Sequence, residues 1–198
     1  MNMEHIRSDD SLIEWLGKTE PSLRQSDRVD LLAKALAPDS WERSGTVFQS
    51  QGHAQYLIKL QQPGWHTPPW RSSQPLSDCF DIHFELDIPI LFGGGPVPCR
   101  LHFETSPYMS RKKLESLPVD TSAFVKLADA FTASLHRCMR GTTWELCHTS
   151  LQKARLDCPL NQATTVTEFS AILVPRIEQI RESISSALAD ARAVIRCT

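Results

Sequence analysis

The sequence has no long apolar run. None of its stretches approaches the ~20 residues that a membrane-spanning helix needs, so a chain built of such helices is excluded. The opening MNMEHIRSDD has no apolar signal core, which sets the expectation of a cytoplasmic protein. An excess of one charge is missing too: 21 Lys and Arg stand against 23 Asp and Glu, a formal net charge of −2. General nucleic-acid binding calls for a basic surface, so nucleic acid is not the favoured partner, although a local basic patch is compatible with the count. There is no CxxC pair. The six cysteines are Cys79, Cys99, Cys138, Cys147, Cys158 and Cys197. Their even number permits disulfides, yet a chain of 198 residues with 41% hydrophobic content is too core-rich for a disulfide scaffold. Reduced thiols are expected, with Cys79 and Cys99 facing each other as packing partners across the base of a hairpin. Cys138, Cys147, His148 and Cys158 offer zinc donors at a spacing that fits no compact zinc knuckle.

Catalytic signatures are equally scarce. The motifs G-x-S-x-G, H-E-x-x-H, G-x-x-x-x-G-K-[ST] and G-x-G-x-x-G are all absent. No Asp or Glu is followed two residues later by Lys, the step by which restriction-type nucleases hold a metal and support the attacking water. These absences set the expectation of a protein with no catalytic residues, no cofactor and no resident metal.

What the chain does have is a two-armed alternation between Cys79 and Thr105, CFDIHFELDIPILFGGGPVPCRLHFET. Side chains alternate faces along a strand. Phe80, Ile82, Phe84, Leu86 and Ile88 therefore share one face of the first arm, and Val97, Cys99, Leu101 and Phe103 share one face of the second. Asp81, His83, Glu85 and Asp87, with Arg100, His102 and Glu104, take the opposite face, which is read as solvated. Gly93, Gly94 and Gly95 supply the turn; a phosphate cradle would need a helix after the loop, and a strand follows instead. Pairing symmetrical about the glycines puts His83 near Glu104 and Glu85 near His102. These residues make either two cross-strand charge pairs or a nitrogen–oxygen set that a metal could use.

The remaining elements frame this hairpin. Ser11 to Leu16 reads as a short helix with a capping pattern, and a second helix runs from near Ser26 to just before Pro38, followed by Trp41 and a turn at Gly45. Thr46 to Leu60 reads as two strands about Gly52-His53. A loop rich in proline, Gln62 to Asp78, carries Trp65, Trp70 and Arg71. These either cap the core or form the kind of aromatic and arginine surface that partners favour. Arg111-Lys112-Lys113 begins a short helix, and a clear helix follows from Asp120 to Gly141. Residues 142–166 are ambiguous. Leu173, Ile177, Ile180, Ile184, Leu188, Ala191 and Ile195 form an apolar seam on a long closing helix, expected to begin near Pro175. The seam can pack on the sheet or on a partner helix. The expected architecture is a single α+β domain over residues 1–198: a four-stranded antiparallel meander with helices on one face and a long C-terminal helix.

This order of elements resembles the accessory module that follows the nuclease core in bacterial proteins of the PD-(D/E)XK superfamily. The residues that carry the likeness are Leu32 to Trp41, Tyr56 to Leu60, Asp81-Ile82-His83-Phe84-Glu85, Leu101 to Tyr108, Trp144 and Phe169 to Leu188. The nuclease core motif is missing, so the resemblance implies a recognition module standing alone. The expected function is non-catalytic binding of another protein, as an accessory, inhibitor or recognition component of a bacterial or phage defence or counter-defence system. The contact residues would be Trp65, Trp70, Arg71, His83, Glu85, His102 and Glu104. Two alternatives stay open: a divergent metal-dependent hydrolase using the His and Glu residues of the sheet face, and an oligomeric structural protein, such as a homodimer, assembled through the C-terminal helix.

Overall fold

A computed structural model describes residues 11–12, 25–36, 40–50, 53–71, 74–89, 95–147, 152–160 and 164–196. The expected helix turn at residues 13–16, the glycines at 93 and 94, His148 and Cys197 lie outside the described residues. The chain is α+β. Its elements are α1 (Gln25–Leu36), β1 (Glu42–Ser50), β2 (His53–Gln61), β3 (Phe80–Pro89), β4 (Gly95–Thr105), α2 (Arg111–Glu115), α3 (Ser122–Cys138), β5 (Glu145–Leu146), β6 (Gln152–Leu160) and α4 (Val166–Arg196). The strands form one sheet in the order β1-β2-β3-β4-β6-β5. The sheet thus has six strands and not the expected four. The two additions come from the ambiguous 142–166 stretch, where β6 alternates Ala154, Leu156 and Cys158, all buried, with Lys153, Arg155 and Asp157. No described helix is long and apolar enough to cross a membrane.

Packing groups the chain into two compact units. The first comprises Met1–Gln62, Phe84–Arg100 and Leu156–Ile177; the second comprises Pro63–His83, Leu101–Arg155 and Glu178–Thr198. In the first, β1 and β2 pair in antiparallel register from Glu42↔Gln61 to Ser50↔His53. His53, expected in a turn, is therefore the first residue of a strand. Gly45, also expected in a turn, lies inside β1 opposite Ile58, which in turn lies opposite Leu86 of β3. The reason for a glycine in mid-strand is the helix beside it. A Cβ on Gly45 would stand 2.6 Å from the backbone oxygen of Val29 in α1, and the Gly45 N–H donates to Asp30 Oδ1 at 3.0 Å. Close backbone approach is what glycine permits in a strand. Val29, Leu32 and Leu36 of α1 are fully buried, as are Ile58 and Phe84, and the Trp41 and Phe84 ring centroids lie 6.0 Å apart.

In the second unit the core is aromatic. Phe103 of β4 lies 5.9 Å from Phe80 and 5.8 and 4.8 Å from Phe124 and Phe131 of α3, centroid to centroid. Burying each such side chain contributes about 1.5–3 kcal/mol. The N-terminus of α3 is tied by Asp120, whose Oδ1 accepts from the Ser122 N–H at 2.8 Å. Ser134 of α3, itself buried, donates to Asp190 of α4 at 2.6 Å.

The start of α4 corrects the expectation drawn from Pro175. Thr165 and Glu168 form a reciprocal capping box: the Thr165 N–H donates to Glu168 Oε2 at 2.8 Å and the Glu168 N–H donates to Thr165 Oγ1 at 3.1 Å. The helix therefore begins at Val166 and carries Pro175 inside it. An interior proline costs about 3 kcal/mol, which the burial of Phe169, Leu173 and Ile177 on the same helix offsets. Six of the seam residues, Leu173, Ile177, Ile180, Ile184, Leu188 and Ala191, are buried within the chain itself.

The close approach at Gly45 generates a test. Gly45→Ala should destabilise the protein by about 1–3 kcal/mol, the usual cost of forcing atoms into a packed place, read as a lower urea midpoint. An unchanged midpoint would mean that α1 yields without cost.

Candidate functional site

Two groups of polar and aromatic side chains stand out, and their residues, Glu85 excepted, fall in the second unit. The first lies on the polar face of the hairpin. The sequence alone presents this face as solvated, but His83 is fully buried, Asp81 is 16% exposed and Glu104 is 12% exposed. β3 and β4 occupy the middle of a six-stranded sheet. His83 Nδ1 lies 3.0 Å from Asp81 Oδ1, a hydrogen bond along the strand. His83 Nε2 lies 3.9 Å from Glu104 Oε1 on the adjacent strand, as symmetrical pairing about the glycines predicts. The ring of His102 is tilted against that of His83, 5.5 Å between centroids. Glu85 continues the same strand face two residues beyond His83 and is half-buried.

The second group is the loop that precedes β3. Its backbone resumes the ladder beside β3 after the turn at Gly64, which has φ +88°. The Ile82 N–H donates to Trp65 O at 2.9 Å, the Thr67 N–H donates to Phe80 O at 3.0 Å, and His66 bridges Asp81. This register places Trp65 opposite Ile82, on the apolar face. Trp65 is accordingly 3% exposed, and its Nε1–H donates to Ser185 Oγ of α4 at 3.2 Å. As a surface contact residue it is thus corrected: it closes the core.

Trp70 and Arg71 lie differently. Trp70 is half-buried and Arg71 is exposed. The segment is fastened through Ser106, which follows β4. The Ser106 N–H donates to Cys79 O at 2.9 Å, its hydroxyl donates to Thr67 O at 3.1 Å, and its carbonyl accepts from the Trp70 N–H. The Trp70 ring N–H donates to Gln74 O at 3.0 Å. Two residues past Ser106, Tyr108 is 53% exposed, and Lys112 and Lys113 of α2 are exposed as well. Sequence reasoning found Trp70 and Arg71 but did not join them to Tyr108. The contact that unites them is a backbone bond over a long separation, which no local pattern signals.

Other groups were not foreseen. Lys153 on β6 is 3% exposed. Burial holds its ammonium below the ordinary lysine range, and the Asp129 carboxylate pulls in the opposite direction. The alternation of Ala154, Leu156 and Cys158 with Lys153 and Arg155 marks a strand but does not signal that the lysine is buried. A basin of about 310 Å³ is bordered by Asp78, Phe80, Leu127, Arg192 and Arg196, and the Arg192 guanidinium carbon sits 4.8 Å from the Phe80 ring centroid. Among the described residues the cysteines are free thiols. Cys79 does not sit opposite Cys99, because its carbonyl pairs with Ser106 at the other end of β4. Burial pushes the Cys99 thiol well above the usual range, with Cys158 adding to the effect. Cys158 is pushed up to about 11, again chiefly by burial.

Compared with family models, with curated proteins and with solved structures, the chain has no match.

The thiols and the lysine yield two expectations. Thiolate is the reactive form, so a thiol reagent should modify exposed Cys138 in the native protein and reach Cys99 and Cys158 only in denaturant. Mass mapping of alkylated peptides reads this, and rapid native modification of Cys158 would contradict its burial. For Lys153 the folded pKa lies below the unfolded one, near ~10.4. In the interval between them the unfolded chain binds more protons, so the lysine's contribution makes stability rise with pH there. Lys153→Met should flatten that part of the urea-midpoint profile.

Proposed function

We propose that this chain is a non-catalytic binding protein that engages an acidic segment of another protein through the surface built on Trp70, Arg71 and Tyr108. One observation carries the reading: Ser106 ties the Trp70 backbone to the segment that presents Tyr108, while Arg71, Tyr108, Lys112 and Lys113 remain exposed. Aromatic and arginine side chains dominate binding energy at protein interfaces. A surface whose backbone is already held loses less freedom on binding, and that favours affinity. Arg71, Lys112 and Lys113 are exposed cations, and electrostatic complementarity then favours an acidic partner. The resemblance to an accessory module of PD-(D/E)XK proteins supports the same assignment, as an accessory, inhibitor or recognition component of a defence or counter-defence system.

The test is capture of partners on immobilised, nuclease-treated protein from extracts of the source cells, with mass-spectrometric identification and a parallel Trp70→Ala/Arg71→Glu variant. The expected result is an acidic protein retained at low salt, weakened at high salt, and lost from the variant while the variant keeps its native circular dichroism. Retention unaffected by the double substitution would sink the reading.

A further inference from the structure

The basin bordered by Arg192 and Arg196 serves neither the hairpin cluster nor the protein-binding surface, and its whole lining belongs to the second unit. Four elements build it. A single 3₁₀ turn, Leu76–Asp78, is anchored by buried Leu76 and brings Asp78 to the rim. Phe80 of β3 and Leu127 of α3 make an apolar floor. The last turns of α4 add Arg192, Ile195 and Arg196. Residues four apart are neighbours on a helix surface, so both guanidiniums border the same space. The Arg192 guanidinium carbon sits over the Phe80 ring, 4.8 Å from its centroid. An arginine held this way uses the face of its guanidinium and keeps the N–H groups of its edge for an acid group. Among the described residues, neither arginine has a carboxylate partner, and Asp78 on the same rim pairs with neither of them. Instead of closing on one another, the three charges stand around about 310 Å³ of open space. That volume lies at the low end of the range for small-molecule sites, roughly 300–1,000 Å³.

From this arrangement we propose that the basin binds a small zwitterion of the amino-acid type. Its acid group lies against Arg192 and Arg196, its ammonium against Asp78, and its side chain over the Phe80–Leu127 floor beside Ile195. The lining calls for both signs of charge in one ligand. Guanidinium forks match the geometry of a carboxylate. The Asp78 carboxylate repels an anion that brings no positive charge of its own. A wholly apolar ligand is disfavoured as well, because it would strip water from three charged groups and give them nothing in return.

The experiment is saturation-transfer NMR on the full-length protein with three probes that share one body. They are L-phenylalanine, 3-phenylpropionate, which lacks the ammonium, and phenethylamine, which lacks the acid group. The expected result is transfer to phenylalanine, with at least tenfold weaker binding of the other two. Arg192→Gln/Arg196→Gln should abolish phenylalanine binding, and Asp78→Asn should reduce it to the level of 3-phenylpropionate. All three side chains are exposed, so the variants should keep the native circular dichroism that each comparison requires. Absence of phenylalanine binding overturns the proposal. So does binding that survives the double arginine substitution, and so does 3-phenylpropionate bound as tightly as phenylalanine. None of these outcomes bears on the capture experiment, whose variant changes residues outside the basin.

Discussion

The structure depends on one constraint: the pairing of two strands whose alternation sends every apolar side chain to one face of the sheet. β3 carries a strict alternation of apolar and titratable residues, and β4 answers it in kind. Their apolar sides are fully buried at Phe80, Ile82, Phe84, Leu86 and Ile88, and at Val97, Leu101 and Phe103. A register slip would reverse both faces at once. On the opposite face the polar side chains meet one another. Asp81 binds His83, His83 faces Glu104, and Arg100 pairs with Asp87.

The same ladder also controls the loop that precedes it. After Gly64 the chain rejoins β3 in a register that sends Trp65 inward and leaves His66 outward. Ser106 then ties this loop to the end of β4 and links the Trp70 backbone to the segment that carries Tyr108. Core and candidate surface are thus not separate inventions: three bonds at a single buried serine link them. Conserving those bonds costs the loop its conformational freedom, which is what a binding surface gains from.

The two candidate sites call for different chemistry. One is exposed, aromatic and basic, suited to an acidic macromolecular surface. The other is a histidine held between two carboxylates on the polar side of the hairpin.

Periodicity determined much of this in advance. The alternation of β3 and β4, the helical spacing of Phe124, Leu127 and Phe131, and the seam from Leu173 to Ala191 were legible because each records which face of its own element is buried. The nearness of His83 and Glu104 was legible too, because a hairpin turn sets its own register. What the sequence did not determine was everything that depends on a neighbour far along the chain. β6 beside β4 made the hairpin central. α1 against β1 required Gly45 in a strand and not in a turn, and the capping box at Thr165 let α4 begin before a proline. The resumed ladder beside β3 took Trp65 into the core and left Trp70 outside. Local patterns report the preference of a segment, whereas burial is a property of what packs against it, and only the tertiary structure decides that.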